Sequence, residues 1–195
     1  MKGKKALGKV RLTEDEVVQE FDFEEELGVD LSRDPSLRTA IGQKIIDRII
    51  DRTLNSDGVV ITKDGNVRKG GKIKPSKYSE EYAESDEFKA FGKQKNKVNM
   101  RLTGDMLGTL DIKDQSGSSI KIGWRDQVQN AKAFNHNTGD TVPKRQFFGV
   151  SSKELKEIAN QFKNRIDQLK RRETPRVSTA EAIIQNLLRE FDNNG

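Results

Sequence analysis

Between Leu110 and Trp124 the apolar residues alternate with polar ones on both sides of a turn. Leu110 and Ile112 alternate first, then Ile120, Ile122 and Trp124. A period of two puts such side chains on one face of a strand. The stretch between them, Asp114-Gln115-Ser116-Gly117-Ser118, is turn-forming, and Gly117 is free to take a positive φ. Residues 108–125 are therefore expected to form a β-hairpin with one buried face. Arg125–Phe134 suits a short helix or a loop, and His136-Asn137-Thr138-Gly139-Asp140 reads as a turn. Pro143 stiffens the approach to Gln146-Phe147-Phe148-Gly149-Val150, a third strand or a tight apolar plug. Ser151 and Glu154 then have the spacing of a capping box, which opens a helix.

Other helices are marked by period 3.6. Asp34-Pro35 is a helix start, with Asp as N-cap and Pro at the first position. Leu37, Ile41, Ile45, Ile46, Ile49, Ile50 and Leu54 follow at helical spacing, so a core-facing helix of about five turns is expected to end near Asn55. Leu155, Ile158, Ala159, Phe162, Ile166 and Leu169 predict a helix to about Arg172, with Lys170, Arg171 and Arg172 in its last turn, where cations complement the helix dipole. After Thr174-Pro175, Ser178 and Glu181 form a second capping box. The final helix, within 174–195, carries a wide stripe that includes Leu187 and Phe191. That stripe either folds back on the core or packs on another subunit.

The core domain is taken as residues 34–173 and is preceded by a charged segment. A basic block (Lys2, Lys4, Lys5, Lys9, Arg11) precedes an acidic one running from Glu14 to Glu26. Residues 1–33 read as an extended N-terminal arm, solvated or docked on a neighbour of reciprocal charge, and deleting residues 1–26 is expected to spare the monomer's melting curve. Residues 56–97 show the least pattern. Val59–Ile61 suit a strand and Asp64-Gly65 a turn. Residues 62–80 read as a mobile loop whose basic run, Arg68, Lys69, Lys72 and Lys74, could face phosphates in a DNA channel. Tyr78, Tyr82, Phe88 and Phe91 are expected to form a small satellite core.

Composition narrows the chemistry. Hydrophobic residues make up 32%, and the 16 glycines bring the total only to about 40%, below the usual globular share. The chain therefore has a modest core with solvated or partner-bound extensions. It has no cysteine, hence no disulfide or thiol chemistry, and a single histidine, His136, rules out a multi-histidine metal site. That histidine reads as a turn residue whose ring bonds the local backbone. No acidic pair has a diagnostic spacing, no phosphate loop is present, and no apolar run is long enough for a membrane. No enzyme activity and no cofactor are expected. The net charge of +5 is modest, with acids interleaved among the bases. The basic N-terminus has no apolar core of a secretory signal, so the chain is expected to stay in the cytoplasm of the cell that makes it until used.

The order of parts in the central third resembles one family, the phage virion-morphogenesis and tail-completion proteins of the neck. The residues that carry the likeness are Leu102, Thr103, Gly104, Met106 and Leu107; Ile122 and Gly123; Ala131, Ala133, Phe134, His136, Asn137, Thr138 and Gly139; and Pro143, Arg145, Phe147, Phe148 and Gly149. The resemblance implies an α+β fold, a small antiparallel sheet packed with several helices. It implies a structural virion protein rather than an enzyme: a homo-oligomeric, hexameric ring around the DNA channel, for tail completion and head–tail joining. Its partners would be connector or stopper proteins and tail-tube or terminator proteins, with transient contact to passing genomic DNA and none to a membrane. It would reside in the virion neck after assembly in the host cytoplasm. Arg145, Phe147, Phe148, Trp124, Leu187 and Phe191 are then the candidate subunit-interface residues. A non-enzymatic DNA-binding protein of a phage or mobile element is the alternative.

Overall fold

The computed structural model describes residues 8–98, 100 and 105–173. The fold is α+β. Strands β1 (Val10–Leu12) and β2 (Val17–Asp22) open the chain. They are followed by α1 (Phe23–Leu27), a 3-10 turn at Leu31–Arg33 and the long helix α2 (Pro35–Leu54). A hairpin of β3 (Asp57–Ile61) and β4 (Val67–Lys72) leads to short helices α3 (Glu80–Glu84), α4 (Asp86–Ala90) and α5 (Asp105–Gly108). Strands β5 (Leu110–Ser116) and β6 (Ser119–Trp124), then helices α6 (Gln127–Thr138), α7 (Ser152–Asn160) and α8 (Lys163–Glu173), complete the described chain.

The hairpin expected at 108–125 is present as β5–β6. Ser116 pairs with Ser119, Gly117 takes φ 53°, and Ile112 faces Ile122. Ile120, Ile122 and Trp124 are all fully buried. The main sheet is antiparallel in the order β1-β2-β6-β5. Helix α2 lies on it. Asp34 caps the helix by accepting the Leu37 amide at 3.0 Å, and the buried side is Leu37, Ile41, Ile45, Ile46 and Ile49. Gly42 lets the helix sit close, since a Cβ there would lie 2.7 Å from Ile112 Cδ1.

The N-terminal arm is corrected from residue 10 onward. β2 is an interior strand, paired on one side with β1 and on the other with β6, where Phe21 opposes Ile120. Val17, Phe21 and Phe23 have no exposed surface. The acidic block lies in the β1–β2 turn (Glu14, Asp15, Glu16), on the outward positions Glu20 and Asp22 of β2 and in α1. Asp22 caps α1 by accepting the Glu24 and Glu25 amides, and Glu24 and Glu25 sit where the helix dipole favours anions. Residues 1–7 lie outside the described residues.

The 62–80 segment is also not a continuous mobile loop. Asp64-Gly65 is the expected turn, with Gly65 at φ 78°, but β4 continues beyond it in register with β3, Ile61 opposite Val67 and Val60 opposite Arg68. Tyr78, Tyr82 and Phe88 form the expected aromatic cluster, with ring centroids 5.2–5.5 Å apart. Phe91 stands apart at 49% exposed. The stretch after Trp124 is a helix, and it continues through the residues expected as a turn. His136, Asn137 and Thr138 are its last residues, and Gly139, in the left-handed region at φ 82°, ends it. The capping box of Ser151 and Glu154 is formed in both directions. The helix expected to run unbroken to Arg172 is interrupted by a turn at Gln161–Phe162 and resumes as α8, whose last turn carries Lys170, Arg171 and Arg172. The final helix, with Leu187 and Phe191, lies outside the described residues, as do Leu102, Thr103 and Gly104.

Candidate functional site

Trp124, Phe147 and Phe148 were expected at a subunit interface or in the core, and they are core. All three have 1% exposure or less. The Trp124 ring sits 6.1 Å from that of Phe147 and 5.0 Å from that of Phe148, and its Nε1 donates to the Met106 carbonyl at 2.5 Å. They are therefore removed from the interface set, because a fully enclosed ring has no face left for a neighbour. Residues 146–150 form no strand; they are the apolar plug.

The plug is held by buried polar side chains; Asn137 belongs to the family-like set, while Arg52 and Gln19 carry no such mark in the sequence. Asn137 Oδ1 accepts both the Phe147 and Phe148 amides, at 3.1 and 3.2 Å. Arg52, in the last turn of α2, donates to the Phe147 carbonyl at 3.0 Å and to the Gly149 carbonyl, and pairs with Glu154 at 2.7 Å. Gln19 of β2 donates to the Val150 carbonyl at 2.9 Å and accepts its amide at 2.8 Å. Gly149, at φ 100°, has no space for a side chain: a Cβ would lie 2.8 Å from Val10 and 2.9 Å from Val67.

Arg145 was expected at the surface, reaching a neighbour's carboxylate. Instead it is 6% exposed. Its amide donates to the His136 carbonyl at 2.6 Å, which anchors it beside the end of α6. Its guanidinium lies over the Tyr78 ring, 5.2 Å from the centroid. Its Nε is buried with no acceptor. The ammonium of Lys93 is 4.6 Å from the centroid of the same ring and within 6 Å of Tyr82 and Phe88. A cavity of about 500 Å³ opens here, between the aromatic cluster, the end of α6 and Arg145. Burial, then the Arg145 charge, lowers the Lys93 ammonium to about 8. Burial, then Arg145 and Lys93, lowers His136 to about 4, so its ring is neutral at neutral pH. Its Nδ1 is buried without a partner, so the expected ring-to-backbone bond is not formed through that atom.

The basic run divides. Lys72 pairs with Asp57 at 2.8 Å and donates to the Asn55 carbonyl at 2.9 Å. Arg68, Lys69 and Lys74 are exposed, with no ion pair among the described residues. The groove between β4 and α2 mixes signs, with Lys44, Arg48 and Lys69 among Asp47, Asp51 and Asp57. Among the described residues no cluster of three potential metal ligands occurs, and no helix is long and apolar enough to cross a membrane. Comparison with protein-family models, curated proteins and solved structures finds no match to this chain.

Proposed function

We propose that the chain is a structural, non-enzymatic protein of the phage neck, which completes the tail and joins it to the head connector as a ring around the DNA channel. The observation that carries the reading is the way the family-like residues meet. Separated in sequence, Ala133, Asn137, Phe147 and Phe148 of that set lie in one corner of the fold, with Trp124 beside them. There Asn137 holds the two phenylalanine amides and Trp124 packs on both rings. Spacings that serve one corner are better explained as the signature of a fold than as chance matches. In this reading Arg68 and Lys69 on the β3–β4 hairpin, and Lys74 just beyond it, face the passing DNA as point charges without sequence preference. A head-to-tail contact between copies would close the ring.

Particle morphology after deletion of the gene, in a phage whose genome carries it, tests the proposal. Separate full heads and separate tails are the expected result. Normal, infectious particles would overturn it and favour the DNA-binding alternative, whose mark is an affinity that falls steeply with salt.

A further inference from the structure

A buried guanidinium without an acceptor is unfavourable, because burial removes its water and nothing replaces the lost hydrogen bonds. At its Nε, Arg145 is in this state. No described carboxylate lies within ion-pair reach, its Nε has no acceptor, and the residue is 6% exposed. A second cation, Lys93, lies over the same tyrosine ring. Two cations gathered around one ring repel one another, so their arrangement suits an anion between or beside them. Arg52, the other arginine of this corner, also has a buried Nε without an acceptor, but two carbonyls and a carboxylate take its Nη hydrogens, and Arg145 has no such partners among the described residues.

The cavity beside Arg145 has the size of a small-molecule site. Its walls are of two kinds. Among the described residues, Arg145, Lys93 and Lys132 supply positive charge, set against the carboxylate of Glu87, while Met100, Met106, Val142 and Pro143 supply apolar surface. Arg145 presents a planar fork beneath which the Tyr78 face lies; such a fork takes a carboxylate bidentately, and the apolar wall beside it suits an organic anion over inorganic phosphate. We propose that this cavity is a binding site for a small organic carboxylate, its carboxylate on Arg145 and Lys93 and its apolar body against the methionines and Tyr82. The site is independent of the neck reading, so the failure of either leaves the other standing.

The full chain titrated with phenylacetate at constant ionic strength tests this, with inorganic phosphate and chloride as controls. Trp124, the only tryptophan, bonds the carbonyl of Met106 in the cavity wall and serves as the fluorescence reporter. Saturable binding with a Kd of about 1 mM is expected, the range for a ligand of this size. Arg145→Met should weaken it at least tenfold while leaving the melting temperature unchanged or raised, since an unpaired buried charge is removed. Lys93→Met should weaken it several-fold, and wild-type affinity should fall as pH rises through about 8, where Lys93 loses its proton. No saturable change with phenylacetate, equal binding of phosphate, or Arg145→Met with full affinity would each overturn the assignment. Should Arg145→Met not fold, its guanidinium is structural and the site is likewise refuted, unless Lys93→Met folds normally and loses phenylacetate binding.

Discussion

Replacing Arg52 by Met keeps most of the stem volume and removes three buried interactions. The Arg52–Glu154 pair is 2.7 Å long, with both side chains at or below 10% exposed. Breaking a buried pair by removing one partner costs about 3–5 kcal/mol, because it leaves a buried charge behind. Here Glu154 keeps the Ser151 amide and hydroxyl, at 2.9 and 3.0 Å, which softens that term. The Phe147 and Gly149 carbonyls, however, lose a donor. A net loss of about 4 kcal/mol is expected, measured by urea unfolding at pH 7. The pH dependence supplies a second check. Burial pushes the Glu154 carboxyl up, but the Arg52 charge and the Ser151 bonds together bring it below the ordinary carboxylate range. In the wild type the stability this contributes is present above the unfolded carboxylate value and lost on acidification through the lower folded value. Without Arg52 the burial effect prevails and the folded value rises. The variant then gains stability relative to wild type as pH falls from 7 to 5. A loss below about 1.5 kcal/mol, or a deficit identical at the two pH values, would refute the view that Arg52 clamps the plug.

Two other groups should set opposing pH slopes. Glu26, raised to about 7 by burial and then by the Asp22 and Glu25 charges, contributes stability at low pH that is lost as pH rises toward 7. His136, lowered to about 4, contributes stability above its unfolded value near 6.5 that is lost as pH falls toward 4. Each amounts to about 3 kcal/mol and they nearly cancel between pH 4.5 and 6.5, so Glu26→Gln should become more stable with rising pH there, and His136→Gln less; parallel urea curves for both variants would contradict this. Deleting residues 1–26 should abolish cooperative unfolding by circular dichroism, since it removes β1 and the interior strand β2; a truncated chain that melts like wild type would restore the arm.

What was legible in the sequence was local. The β5–β6 hairpin announced itself because one face is buried and the other is wet, so its alternation is clean. Helix α2 did so through Asp34-Pro35 and a stripe at helical spacing, and α7 through its capping box. β2 was misread because a polar residue, Gln19, occupies its buried face between Val17 and Phe21, and because acids surround these residues. Its Gln19 is buried only because Val150, far along the chain, supplies both a donor and an acceptor. Arg145 was placed at the surface by residue type, and no local signal reports that Tyr78 lies under its guanidinium. The His136–Gly139 stretch has turn composition, yet Asn137 remains helical because its side chain bonds Ala133 one turn back and the plug ahead.

The plug explains why these buried polar residues exist, and why Arg145 differs from them. A chain segment that crosses a core without joining a sheet must have its backbone groups bonded by something else. For residues 146–150 the partners are specific. Val59 donates to the Gln146 carbonyl at 2.9 Å. Asn137 takes the Phe147 and Phe148 amides, Arg52 the Phe147 and Gly149 carbonyls, and Gln19 both groups of Val150. Each of these side chains is drawn from a different element, so the plug ties β2, α2, β3 and α6 together, and the three polar residues need no further role. Arg145 is adjacent to the plug in sequence and as deeply buried, but its guanidinium bonds none of the plug's backbone. It faces a cavity in company with a second cation. The structural demand that accounts for Gln19, Arg52 and Asn137 leaves Arg145 unexplained, and a ligand carboxylate supplies the missing acceptor.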